Sequence, residues 1–422
     1  MRGGVNATTG SDGRTLQNGW DYAWVLIGLL WLVSFLNAAD RSIIIAVMPQ
    51  IRDEFGLSRT ELALLNSLFF WIYAVVAFLS GRMGDSVRRS RIIIYGLVFW
   101  SMATGLTALS TGLAMLLAFR GLVAVGEATY YPTATALISD WHRPKWRSRA
   151  LSLHQTGVFA GAGLGALFAG FLADKFSWHV PFAIFAVIGI VHALVLWRYL
   201  RDSPMVTSQE AKGEPLGIVL GIPPAVMLCA VFFLANGAST GITVWAPTYV
   251  NESLKLNLAG SALVGSSTIN IAGFLTVPLG GFLADWMANR TPIGRFHTLA
   301  LGLTLAAVLL IPLTSMTTAT GVGMILVATS FGKGLFDGCI YAAMHDVVPP
   351  HARATAVGAM TMIGFFGAGI TPIFVAQASE RFGLAAGMAA LAVLYALAVV
   401  IILAMQPAIR RAVAANAAEA DA

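Results

Sequence analysis

Twelve stretches of this chain are long and apolar enough to cross a bilayer, and no other feature constrains its fold as tightly. A spanning helix needs roughly 20 mostly apolar residues. Such runs lie at 22–46, 60–83, 91–110, 112–138, 150–173, 179–199, 222–249, 258–286, 297–316, 319–345, 354–378 and 384–405. Lipid offers no hydrogen bonds to a backbone, so each run is predicted to be a helix. Composition agrees: 11% of residues are charged and 57% hydrophobic, whereas an ordinary soluble domain is about 25% charged. That shortage excludes a disordered chain, a coiled coil and an ordinary two-domain cytosolic enzyme. The one long polar connection divides the chain into an N-tail (1–21), a six-helix bundle (22–199), a linker (200–221), a second six-helix bundle (222–405) and a C-tail (406–422). The expected fold is an all-α polytopic membrane protein of twelve helices in two pseudo-symmetric bundles. The first twenty residues are polar and carry no signal-peptide core, so the first run is expected to stay in the membrane. Cys229 and Cys339 sit in apolar runs and make neither a disulfide framework nor a four-ligand zinc site. No metal or other cofactor is expected.

The two halves repeat. A shift of 206 residues lays Asp140 on Asp346, Pro144 on Pro350, Arg147 on Arg353, Gly161 and Gly163 on Gly367 and Gly369, and Phe176 on Phe382. A shift near 200 lays Gly81 and Asp85 on Gly281 and Asp285, and Asn37 and Pro49 on Asn236 and Pro247. Parallel repeats with a site between them near the midplane are a transporter architecture. Topology follows from the bases. The tails and even-numbered connections carry 18 of the 26 Lys and Arg, the odd-numbered connections five. The positive-inside rule then places both termini in the cytoplasm, across a plasma (inner) membrane. It also explains the basic net charge without invoking nucleic acid.

The segment Gly81-Arg82-Met83-Gly84-Asp85-Ser86-Val87-Arg88-Arg89 resembles the loop signature joining spans 2 and 3 of the major facilitator superfamily, with a weaker copy at Gly280-Gly281-Phe282-Leu283-Ala284-Asp285. The resemblance implies that Asp85, Arg88, Arg89 and Asp285 form a gating cluster that latches the bundles on the cytoplasmic side. The basic residue usual after the aspartate is Ser86 here. Two further stretches, Asn37-Ala38-Ala39-Asp40-Arg41 and Arg120 through Ala128 followed by Tyr131-Pro132, resemble the anion:cation symporter group and, second, the Spinster-like group. Arg201-Asp202-Ser203-Pro204 and Trp245-Ala246-Pro247-Thr248-Tyr249 lean towards the symporters, and the span-4 string leans towards Spinster. Span 5 lacks the proline of the drug/proton antiporter motif.

With the loops set aside, six ionisable residues remain at membrane depth: Asp40, Arg41, Arg120, Glu127, Lys333 and Asp337. Each costs at least about 2.5–3.5 kcal/mol on insertion scales unless paired or hydrated. Three cations suit an anionic substrate, and three acids can neutralise them or carry a proton. Arg120 and Glu127 lie two turns apart, roughly 10 Å, so each needs a partner elsewhere, with Asp40 or Arg41 nearest. Lys333 and Asp337 can pair at i,i+4. The 206-residue shift also lays Glu127 on Lys333. Arg41, Arg120, Lys333, Asn236, Trp245 and Tyr131 are candidate substrate contacts; Glu127, Asp40 and Asp337 are candidate proton carriers. The alternative is that the six form static pairs between helices. His154, Gln155, Thr243, Asn270 and Tyr130 are further candidates for cavity lining, and His192 reads as structural.

The expected function is proton-coupled symport of a small organic anion, such as a sugar acid or another carboxylate, by a monomer. Competing expectations are a Spinster-like lipid carrier, an efflux antiporter and a transporter-shaped solute sensor. An enzyme is not expected, since no metal cluster or nucleophile–base pair stands out.

Overall fold

In a computed structural model, which describes residues 17–83, 88–142, 144–202, 216–349 and 352–420, the chain is a two-fold repeat of helices. Spans 1–6 are Gln17–Phe55, Arg59–Met83, Arg89–Thr107, the pair Leu113–Ala128 and Tyr130–Trp141, Pro144–Lys175, and His179–Tyr199. Spans 7–9 are Pro223–Leu254, the run Leu258–Ala262, Leu263–Ser267 and Thr268–Ala288, and Gly294–Leu310. Spans 10–12 are the pair Ala319–Asp337 and Ile340–Val347, then Arg353–Phe382, and the pair Leu384–Ala389 and Ala392–Ala404. Eleven of these are long and apolar enough to cross a membrane as they stand, and Arg89–Thr107 completes the twelve. With twelve crossings, the start of span 1 and the end of span 12 lie on one side, hereafter the tail side; the other is the far side.

The tail-side ends carry the repeat in atomic detail. Arg89 is ion-paired with Asp140, and Arg295 Nη1 with Asp346 Oδ1 at 2.6 Å. Arg147 Nε donates to the Ser139 carbonyl at 3.2 Å, and Arg353 Nη2 to the His345 carbonyl at 3.3 Å. Each pair maps onto the other by the 206-residue shift. Asp202 caps span 3 by accepting from the Ser90 N–H at 2.8 Å and the Ser90 hydroxyl at 2.7 Å, a favourable place for an acid at a helix start.

The glycines of spans 5 and 11 divide the packing between them. A Cβ on Gly161 would lie 2.1 Å from the Phe35 carbonyl of span 1, and one on Gly367 would lie 2.3 Å from the Phe233 carbonyl of span 7. These positions seal each half internally. Two residues on, Gly163 faces Ser267 and Asn270 of span 8, and Gly369 seats the Trp71 indole of span 2. These positions line the seams between halves. Each seam carries side-chain bonds near its middle, Ser267 Oγ to the Gly163 carbonyl at 2.8 Å in one and Trp71 Nε1 to the Phe366 carbonyl at 3.4 Å in the other.

On the far side the halves are tied by charge. Glu252 of span 7 accepts from Arg52 of span 1 and, at 2.7 Å, from Arg59 of span 2. Asp174 of span 5 accepts from the Leu258 and Ala259 N–H groups that open span 8, both at 2.9 Å. On the tail side, by contrast, the Arg89–Asp140 and Asp285–Arg295–Asp346 pairs each close within one half. The C-tail folds as a helix, Gln406–Ala420. Its Asn416 Nδ2 donates to the last carbonyls of span 10, His345 at 3.2 Å and Asp346 at 3.1 Å.

Candidate functional site

Asn37, Asp40 and Arg41 lie at i, i+3 and i+4 on span 1, so they share one face. That face meets span 4 inside the N-terminal half. Arg41 Nε donates to Glu127 Oε2 at 2.7 Å, and its Nη2 donates to Asn37 Oδ1 at 2.7 Å. Span 2 supplies an aromatic wall: the Arg41 guanidinium sits 4.5 Å from the Tyr73 ring centre and 5.4 Å from that of Phe69. Arg120 presses its guanidinium on Phe69 at 4.7 Å and interacts electrostatically with both Asp40 and Glu127. Asp40 Oδ2 accepts from Thr104 Oγ1 at 3.3 Å, and the Trp100 indole faces the same carboxylate.

Two acids and two arginines therefore form a neutral, buried quartet. It is incompletely bonded: Asp40 Oδ1, Glu127 Oε1, Arg120 Nε and Asn37 Nδ2 are buried without a hydrogen-bond partner. Groups left in that state cost about 1–3 kcal/mol each, and a native interior holds few of them. The quartet is thus arranged to accept a further polar group or to exchange partners. Exposure differs sharply within it. The Arg41 side chain is 24% exposed while that of Glu127 is 0%, and Arg120 is 2% exposed. Arg41 is the more exposed of the two cations in the quartet.

In the C-terminal half, Lys333 Nζ donates to Asp337 Oδ1 at 2.5 Å along span 10. Beside the ammonium is a small, partly open recess with a free volume of about 10 Å³, lined by Ser239, Thr243, Ile269, Thr329, Ser330 and Tyr395 among others. Tyr341, one turn below Asp337, joins the two clusters. It interacts electrostatically with Asp337 and with Tyr73 across the interface, and Tyr131 senses both Tyr341 and Tyr73. Tyr73 of one half and Tyr341 of the other are thus neighbours between Arg41 and the Lys333–Asp337 pair.

The remaining expected residues divide. Tyr131 is 37% exposed and donates its hydroxyl to Gln155 Oε1, so Tyr131 and Gln155 belong together near the interface. His154 is fully buried. Tyr130 donates its one proton to the Leu30 carbonyl at 2.6 Å, so His154 Nε2 is the donor in the 2.7 Å bond between them. Asn236 Nδ2 ties span 7 to the Gly364 carbonyl of span 11 at 3.1 Å. His192 Nε2 donates to the Leu29 carbonyl at 2.9 Å, a tie between spans 6 and 1. Two candidate contacts are enclosed by packing. Trp245 is 0% exposed and its indole donates to the Pro372 carbonyl at 2.9 Å, a packing contact between spans 7 and 11. Arg120 is packed against Phe69 and faces the two acids. Of the gating residues, Asp85 lies outside the described residues, Arg88 is exposed immediately before span 3, and Arg89 and Asp285 hold partners in their own halves.

Phe69, Tyr73, Thr104, Thr329, Tyr341 and Tyr395 were not legible as site residues. In a chain with 24 Phe and nine Tyr, an aromatic facing a cavity has the same local sequence as one facing lipid. The only signal was the i,i+4 spacing of Phe69 and Tyr73.

Comparison with known proteins is consistent across sequence and structure. The model of the family described as Major Facilitator Superfamily matches residues 30–372. The hexuronate transporter of Bacillus subtilis (strain 168) is 28% identical over 390 residues, covering 87% of this chain and 92% of that protein. Protein spinster of Drosophila melanogaster is 27% identical over 378 residues, covering 85% of this chain and 62% of that protein. The crystal structure of a bacterial homolog to the human lysosomal transporter Spinster, inward-facing and unoccupied, superposes with a TM-score of 0.82. It covers 92% of this chain and 98% of that one at 21% identity, a likeness of fold.

Proposed function

Because this chain belongs to the major facilitator superfamily, we propose that it carries a small organic anion, a sugar acid or another carboxylate, by proton symport with alternating access. The observation that carries this reading is Arg41. It is the partly exposed member of a neutral quartet, held by a carboxylate that can be exchanged for another. Arg41 has a planar fork suited to a carboxylate. When the substrate's carboxylate takes the place of Glu127 on Arg41, Glu127 is left as a buried acid without its cation. A proton neutralises it, so anion and proton load together. Asp40 is the second acid of the same cluster and shares this role. The relative named a hexuronate transporter supports an anionic substrate. The distribution of Lys and Arg supports a cytoplasmic tail side in a plasma (inner) membrane. With the far side tied shut, the site opens towards the cytoplasm, and Asp85, Arg88, Arg89 and Asp285 are the groups that latch the tail side in the opposite state.

The test is uptake into proteoliposomes under an imposed pH gradient, with hexonates, dicarboxylates, phosphorylated sugars and lysolipids as solutes. An organic anion should accumulate with the gradient. Glu127→Gln should abolish gradient-driven uptake while keeping substrate exchange; unchanged driven uptake in this variant removes Glu127 as the coupling acid. Transport of neutral sugars alone would overturn the reading. A second reading, a Spinster-like amphiphile carrier, is favoured by the similarity to protein spinster and by the apolar contact of Phe70 with Phe365 across one seam. Lysolipid movement without hexonate movement would decide for it.

A further inference from the structure

We infer that the recess beside Lys333 is a hydroxyl-reading subsite that limits the substrate to a single negative charge. This rests on the anion-carrier reading and concerns the substrate's other end. Five of the recess residues carry hydroxyls: Ser239, Thr243, Thr329, Ser330 and Tyr395. Thr329 is 3% exposed, and its Oγ1 is buried without a hydrogen-bond partner. Lys333 lines the same recess and has three N–H donors, of which one goes to Asp337.

Charge decides what such a recess can take. Asp337 already neutralises Lys333 from the same helix face, at 2.5 Å. A second carboxylate or a phosphate would have to enter beside the Asp337 carboxylate, and like charges in a partly dehydrated site repel strongly. A neutral hydroxyl meets no such penalty. It can accept from Lys333 and donate to Asp337 or to Thr329 Oγ1, which satisfies groups otherwise left unpaired. Size agrees with this, since a free volume of about 10 Å³ admits one hydroxyl or a water-sized group rather than a carboxylate or phosphate. The substrate then lies between the halves, its carboxylate at Arg41 and a hydroxyl at Lys333 and Asp337.

The experiment compares three linear acids by thermal-shift binding to the purified transporter and by counterflow: an aldonate, the alkanoate of equal length without hydroxyls, and the aldarate with a second carboxylate. The unmodified protein should bind the aldonate about tenfold more tightly than either analogue, on the scale of one or two satisfied polar groups. Thr329→Val, which keeps shape and removes the hydroxyl, should weaken aldonate binding several-fold and leave the alkanoate unchanged. Asp337→Asn should uncover the charge of Lys333 and raise the aldarate-to-aldonate affinity ratio about tenfold. Equal binding of aldonate and alkanoate, or an unaltered aldarate ratio in Asp337→Asn, would sink the subsite while leaving the anion carrier standing. Failure to bind any of the three, or any other organic anion, would sink the carrier reading itself. Tyr395→Phe serves where Thr329→Val misfolds; it should weaken the aldonate alone.

Discussion

Arg41 is distinguished from Arg120 by what surrounds it, since both are arginines in apolar helices of the same half. Arg41 is clamped by Glu127, Asn37 and Tyr73 yet keeps 24% of its side chain accessible; Arg120 keeps none of practical use. The two should therefore fail differently. Arg41→Lys preserves charge but loses the planar fork, so the KM for an organic anion should rise about tenfold or more, measured as initial counterflow rates. Arg120→Lys should leave that KM within a few-fold and instead lower the melting temperature in detergent, because it weakens the support for Asp40 and Glu127. The need of Arg120 and Glu127 for partners on span 1 was legible from their spacing, and the Arg41–Glu127 pair answers it. The packing of Trp245 was not legible, because a tryptophan two residues before a proline carries no record of which neighbour its indole faces.

Helices 5 and 11 illustrate why an element's role depends on its neighbours. Both contain glycines two apart, and the sequence reads both simply as close packing. In the folded chain the first glycine of each pair meets backbone of its own half, and the second meets the other half. Gly161→Ala would set a methyl 2.1 Å from the Phe35 carbonyl, and overpacking of this kind costs about 1–3 kcal/mol or more. Gly163→Ala meets Asn270 Cβ at 3.6 Å, an ordinary contact. Thermal melts of the two variants should separate clearly, Gly161→Ala melting lower and Gly163→Ala near the parent; equal melting would contradict this division. Spans 4 and 10 each read as one run but fold as two helices, interrupted at Thr129 and at Gly338–Cys339. Apolar length cannot report such a break, because it depends on local hydrogen bonding such as Thr129 Oγ1 to the Gly126 carbonyl at 2.8 Å.

At the scale of the molecule, one acid holds two arginines of the other half. Glu252 is 19% exposed at its side chain, and Arg52 and Arg59 are 32% and 28% exposed. Charge-assisted bonds contribute about 1.5–3 kcal/mol when buried and less where water screens them, so roughly a tenfold shift in population is the scale to expect from losing them. Spin labels at Thr111→Cys and Ser315→Cys, exposed far-side positions on opposite halves, report the separation of the two rims. Glu252→Gln should add a longer-distance population that the parent lacks. An unchanged distance distribution would show that Asp174 and the helix seams hold the far side without this latch.

By itself the sequence determined what must be true of each segment: twelve apolar runs, a repeat at 206 residues, and six ionisable groups at a depth where charge is costly. These follow from the solvent each residue tolerates, which is a property of the chain alone. Only the tertiary structure decided which arginine of the quartet is the more exposed, which glycines face the other half, and that Lys333 opens onto hydroxyls. Those facts depend on the rotation of each helix about its own axis, and that rotation is set by packing against other helices.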